Sequence, residues 1–318
     1  MNAPIRFIPV YAPRIWGGRS LETVLNRTLP LADEPYGESW EISDRSEAMS
    51  IVEGGTWHGS TLHDLWEHHR NELFGPGYGH LDRFPVLAKI LAPEQTLSVQ
   101  VHPTPESLKQ YPGEEKNECW YFAGSASAPT ELYAGFLPGT TLPELVEAME
   151  QGTVSTRLQR LEAHAGDSIF IPSGLVHALG APGLVYEIQQ NADTTYRLDD
   201  WGRTDKHGTP RELHREQALA CMQSAIAAPG LRPAGSPDPI ADTPWFRVIE
   251  TRLAPGQTYT PGDPSRFAIL TVAQGTLSCG DQTFCQGDFL LLPAHSAPCT
   301  AGAHGATILI TTVPPACP

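Results

Sequence analysis

Residues 166–177 read GDSIFIPSGLVH, and the order of residue types in this stretch decides the fold. Gly166-Asp167 is a turn pair. Ile169-Phe170-Ile171 has the length and character of a buried strand, and Pro172 with Gly174 ends it in a second turn. His177 follows where the chain re-enters a sheet. Composition points the same way. Among 318 residues there are 29 Gly and 30 Pro, 40% are apolar and only 18% are charged, which suits a chain of many short strands around a real core.

The stretch resembles the second sequence motif of the cupin family. That resemblance implies small double-stranded β-barrels, or jelly rolls, that often hold one metal, with His177 as a ligand. The expected architecture is mainly β: two cupin-type barrels with a few peripheral helices. The segment 227–244, AAPGLRPAGSPDPIADTP, reads as a linker. It divides the chain into a catalytic domain at 1–230 and a C-terminal domain at 231–318. Gly287-Asp288, FLLL and Pro293 repeat the opening pattern 121 residues later. There Pro298 falls where His177 would be, and His295 is off register. The second barrel is therefore expected to be degenerate and without a metal site.

Helical spacing predicts three helices: 60–75, capped by Ser60 or Thr61 and stopped by Gly75; 140–152, with Pro143 in its first turn and Gly152 at its end; and RELHREQALACMQSAI from about 211.

The formal charge of −15 argues against nucleic acid or an anionic membrane as a partner. A phosphorylated substrate would need a local cluster of positive groups. No apolar run reaches membrane-spanning length, and MNAPIRFIPVYAPRIWGG lacks the apolar core of a signal peptide. The six cysteines form no CxxC pair, and Cys119, inside an apolar strand-like run, reads as a reduced, buried thiol. The expected compartment is the cytoplasm.

In LSVQVHP, residues 97–103, strand alternation puts Ser98, Gln100 and His102 on one face and Leu97, Val99 and Val101 on the other. Polar groups inside a small barrel are costly unless they are paired or bound. In KNECWYFAG, residues 116–124, Lys116, Glu118 and Trp120 alternate onto one face. A carboxylate in such apolar surroundings calls for a cation. His102, Glu118 and His177, with Gln100 as a neutral oxygen, form the expected metal set. Two imidazoles with carboxylate and amide oxygens suit one Zn²⁺, with Mn²⁺, Fe²⁺ or Co²⁺ also possible.

LSVQVHP, KNECWYF, GDSIFIPSGLVH and EIQQNADTTYRLDDWGR closely resemble the metal-binding and active-site segments of type I mannose-6-phosphate isomerases. IWGG (15–18) and GESWEIS (37–43) look like two further segments. The similarity spans roughly residues 5–220. Only 59 positions separate Glu118 from His177, which leaves no room for an inserted helical domain and resembles the short bacterial class. The resemblance implies interconversion of D-mannose 6-phosphate and D-fructose 6-phosphate through an enediolate. Such a reaction needs a base, oxyanion stabilisation and a phosphate anchor.

The resemblance supplies catalytic candidates. They are Glu187 as proton shuttle, Arg197 to hold the enediolate charge or the substrate oxygens, Asp193 either to position Arg197 or as a turn residue, and Lys116 either to move a proton between O1 and O2 or simply to offset the Glu118 carboxylate. Ser98 and Arg203 are the implied phosphate clamp, and Trp16 and Trp40 either wall the cavity or belong to the core. Two other classes compete: a cupin dioxygenase using Fe²⁺, which would carry mainly His ligands, and a non-catalytic sugar-binding or regulatory cupin, which would lose Glu187, Lys116 or Arg197.

Overall fold

The computed structural model describes residues 2–124, 129–222 and 227–317. It is mainly β, with antiparallel sheets and short helices. The chain forms two compact units that are not consecutive in sequence. One comprises Ala12–Glu38 and Leu91–Ala234; the other comprises the segment up to Tyr11, Ser39–Ile90 and the chain from Gly235 onward. The chain passes between units at 234/235, inside the Pro- and Gly-rich segment. The crossings near 11/12, 38/39 and 90/91 carry no such composition.

In the first unit, a five-stranded sheet has the order Tyr196–Asp199, Val99–Val101, His177–Leu179, Thr130–Phe136, Leu158–Ala163. Ser168–Ile171, Glu118–Phe122 and Val185–Gln190 pair in that order. Directly opposed residues share a face. Register therefore aligns Ile171, Glu118 and Gln189 in one row, and Ile169, Trp120 and Glu187 in the next. On the five-stranded sheet, Ala134, His177, Gln100 and Arg197 form one row.

Each inward face changes character along its strands. Leu179, Leu132, Phe122, Val185, Trp120 and Ile169 belong to one buried apolar cluster with Trp16. Glu118, His177 and Gln100 lie beyond it. The apolar end holds the sheets together, and the polar end is left for chemistry.

The outward residues Val99, Val101, Ala178 and Leu198 pack with Leu145 and Met149 of the helix Leu142–Gln151 and with Ala218 and Cys221 of the helix Arg215–Cys221. Thr141 and Glu144 form a capping box on the former helix, and Gly152 ends it at φ 66°. The helix expected from about 211 starts at Arg215 instead. Residues 211–214 lie in no helix or strand, and the His214 amide donates to the Arg197 carbonyl at 2.8 Å. The stretch 223–226 of that expected helix lies outside the described residues.

The glycines of IWGG and GESWEIS have a packing reason. A Cβ on Gly17 would lie 2.3 Å from the Gly37 nitrogen, and one on Gly37 would meet the Trp16 ring at 2.5 Å. Only glycine permits this close approach of backbone to backbone.

In the second unit, strands between Ala241 and Thr312 form a seven-stranded sheet. The echo of the opening motif extends to its hydrogen bonds. Asp167 Oδ2 accepts the His164 amide and Asp288 Oδ2 accepts the Cys285 amide, both at 2.8 Å. Thr61 and Asp64 cap the helix Leu62–His68; Phe74, Tyr78 and Phe84 pack with Trp66, and Phe267 packs on Phe74. Cys279 and Cys299 stand opposite on paired strands and form a disulfide, while Cys119 is a free, buried thiol. Among the described residues no helix is long and apolar enough to cross a membrane.

Candidate metal centre

Glu118 and His177 are the first residues of their strands, His102 directly follows the strand Val99–Val101, and all three are fully buried. One ligand atom from each lies within 4.8 Å of the others. His102 Nε2 is 3.3 Å from Glu118 Oε2, and His177 Nε2 is 3.4 Å from Glu118 Oε1. Backbone carbonyls set both imidazoles. His102 Nδ1 donates to Thr194 O at 3.0 Å and His177 Nδ1 to Leu175 O at 2.9 Å, which assigns the lone pairs to the two Nε2 atoms. Burial holds both histidines neutral against the pull of Glu118, His177 being pushed down to about 3.

The donor set fits a divalent cation. His102 Nε2 and Glu118 Oε1 are buried without a hydrogen-bond partner. Buried polar atoms are rarely left so. Gln100 Nε2 lies 3.3 Å from His177 Nε2, and Ser98 Oγ donates to Gln100 Oε1 at 3.3 Å. A half-turn of that amide exchanges its oxygen for its nitrogen at the same place. The expected fourth donor is thus at the cluster's edge. Among the described residues this is the one group of three such side chains able to hold a metal; His295 is not in it.

A cation already faces the carboxylate. Lys116 Nζ is 2.6 Å from Glu118 Oε2 and 3.8 Å from Glu187 Oε1. Burial would lower the lysine's pKa, but Glu118 and Glu187 outweigh it and raise it. Glu118 is correspondingly held well below the usual carboxylate range: burial opposes this, and Lys116 and the histidines prevail. Glu187 is buried, and its Oε1 accepts the Trp120 indole N–H at 3.1 Å.

Arg197, opposite Gln100, donates from Nη1 to Glu212 O at 2.7 Å. Its pKa is lowered by burial and then by Arg211 and Arg203. Arg203 donates to the Asp200 carbonyl and carboxylate and to Thr96 O, two residues before Ser98. Asp193 is exposed, and its charge is felt by Lys116 and Arg14. Trp16 is packed into the apolar cluster. Trp40 belongs to the other unit, where Lys89 Nζ sits 3.9 Å over its ring.

Sequence reasoning missed three groups. Arg211 and Asp200 form a bidentate pair, Arg211 Nε donating to Oδ2 at 2.8 Å. Arg14 and Glu38 form another, at 3.0 and 2.9 Å. Gln189, opposite Glu118, has a buried, unpaired Oε1. Its place in the Glu187, Gln189, Asn191, Asp193 alternation was the available signal.

Comparison with known proteins agrees with this geometry. Residues 5–133 match the family model for the phosphomannose isomerase type I catalytic domain. The chain is 36% identical over 304 residues to the mannose-6-phosphate isomerase ManA of Bacillus subtilis (strain 168), covering 91% of this chain and 93% of that one. It is 33% identical over 288 residues to the mannose-6-phosphate isomerase of Streptococcus mutans, covering 88% and 89%. The crystal structure of the mannose 6-phosphate isomerase from Bacillus subtilis superposes with a TM-score of 0.84 at 30% identity, over 98% of this chain and 100% of that one.

Proposed function

The chain belongs to the type I phosphomannose isomerase family, and we propose that it interconverts D-mannose 6-phosphate and D-fructose 6-phosphate, moving a proton between C2 and C1 through an enediolate. The observation that carries this reading is the buried Glu118 carboxylate. It lies between two neutral imidazoles, its Oε1 has no hydrogen-bond partner, and the ammonium of Lys116, 2.6 Å from its Oε2, also faces Glu187.

His102, Glu118, His177 and Gln100 would hold one Zn²⁺ or a similar divalent ion. When bound, such an ion supplies Lewis acidity toward the substrate oxygens. Glu187 takes the role of proton shuttle: it is buried, aligned by the Trp120 indole and near one cation. Lys116 carries a proton between O1 and O2. Arg197, fixed by the Glu212 carbonyl, faces the enediolate charge, and Asp193 contributes negative charge felt by Lys116. Ser98 and Arg203 anchor the phosphate, and Trp16 backs the cavity.

We assign this chemistry to the unit containing residues 91–234, because all three members of the metal cluster lie there. The family relatives favour an isomerase over a cupin dioxygenase or a non-catalytic sugar-binding cupin.

The test is to strip the protein with chelator, restore Zn²⁺, and follow fructose 6-phosphate formed from mannose 6-phosphate. Turnover should vanish and return; no metal-dependent turnover would overturn the reading.

A further inference from the structure

Asp200 is 5% exposed and is gripped by two guanidiniums. Arg203 reaches Oδ1 through Nη2, and Arg211 binds both carboxylate oxygens through Nε and Nη2. Arg197 is close enough that Arg211 and Arg203 both depress its pKa, after burial. Two guanidiniums therefore grip one buried carboxylate and a third, Arg197, lies within their field, in a chain whose formal charge is −15. Glu212, which also acts on Arg197, has a side chain that is 83% exposed and so well screened.

Rigid contacts place this cluster. Residues 211–214 run beside Arg197: the Arg197 amide donates to His214 Nδ1, and the His214 amide to the Arg197 carbonyl. That carries Arg211 to Asp200. On the other side, the Trp201 indole donates to Leu97 O and Arg203 Nη1 to Thr96 O. These anchors lie one and two residues before Ser98, the proposed phosphate hydroxyl. The carboxylate neutralises one cation, so the cluster retains about two positive charges. A phosphomonoester carries about −1.5 to −2 near pH 7.

We propose that Arg211 is a second cationic group of the substrate's phosphate site, beside Arg203, and that Asp200 is the positioning residue that aligns Arg203 and Arg211 toward the anion. This rests on the isomerase reading for the identity of the anion. The cluster itself is a site for any phosphomonoester or inorganic phosphate.

The experiment uses metal-loaded protein, with inorganic phosphate as calorimetric probe and mannose 6-phosphate as substrate. R211Q retains a donor for Asp200 but removes the charge. It should weaken phosphate binding about tenfold or more, the scale of one charge-assisted hydrogen bond. KM for mannose 6-phosphate should rise by a similar factor with kcat little changed and metal content intact. R211K should recover part of the affinity. D200N separates alignment from charge. Removing a negative charge would tighten phosphate binding if only the field mattered, whereas lost alignment weakens it. Wild-type phosphate affinity and KM in R211Q would overturn the role of Arg211, and tighter phosphate binding in D200N would overturn that of Asp200. A wild-type protein that binds phosphate through Arg211 yet does not isomerise mannose 6-phosphate would sink the isomerase reading and leave the anion site standing.

Discussion

Lys116 Nζ lies 2.6 Å from Glu118 Oε2, and both side chains are buried. Glu118 thus has a fixed internal counter-charge as well as the place for a metal between His102 and His177. Removing one partner of a buried ion pair leaves an uncompensated charge and costs about 3–5 kcal/mol. K116M should therefore lower the melting temperature of metal-free protein sharply, and added metal should restore much of the loss by taking over the compensation. Equal destabilisation with and without metal would show that Lys116 serves packing alone.

His177 presents Nε2 to the cluster while Nδ1 is committed to Leu175 O. H177A is expected to lose most of its bound metal, measured by plasma mass spectrometry after desalting. Full occupancy in that variant would remove His177 from the site.

Arg197 is outside the donor cluster but in the same row as Gln100 and His177. R197A should retain metal and lose turnover by about 10²–10³, as expected for a group that stabilises developing charge. Loss of metal instead would mean that Arg197 supports the ligands.

Burial lowers the pKa of His177 to about 3. An unfolded histidine titrates near 6.5. Between these values the unfolded chain binds a proton that the folded chain does not, so stability falls as pH drops through this window, by up to about 1.4 kcal/mol per pH unit per such group. The lowered pKa of Glu118 acts in the same direction, starting below its usual value near 4.5. Metal-free protein should lose melting temperature as pH falls from 6.5 to 5, and H177Q should show a shallower slope. Parallel slopes would contradict the buried neutral state of His177.

Gly17 touches the backbone of Gly37. G17A should destabilise the fold by about 1–3 kcal/mol through overpacking, read as a lower denaturant midpoint at unchanged slope. An unaltered midpoint would mean that the two segments separate freely.

Much of the site was legible in the sequence because strand geometry is local. Side chains alternate with a period of two whatever the neighbours are. Once 97–103 and 116–122 are read as strands, Ser98, Gln100 and His102 must share a face, as must Lys116, Glu118 and Trp120. The Gly166-Asp167 turn, its copy at Gly287-Asp288 and the caps at Thr61 and Thr141 are local in the same sense; each is closed by bonds spanning three residues.

What depends on long-range register was not legible. Cys279 meets Cys299 only because two distant strands pair in one alignment. Residues 211–214 carry helix-favouring residues, yet the Arg197 carbonyl takes the His214 amide and the helix starts only at Arg215. Arg211 reaches Asp200 for that reason, and no periodicity announces it. The two units likewise recruit chain segments far apart in sequence, because compactness follows contacts between strands and not chain order. The sequence alone therefore determined the strands, the faces and the metal-binding residue types. Only the tertiary structure decided which strands became neighbours, and with that the guanidinium cluster around Asp200.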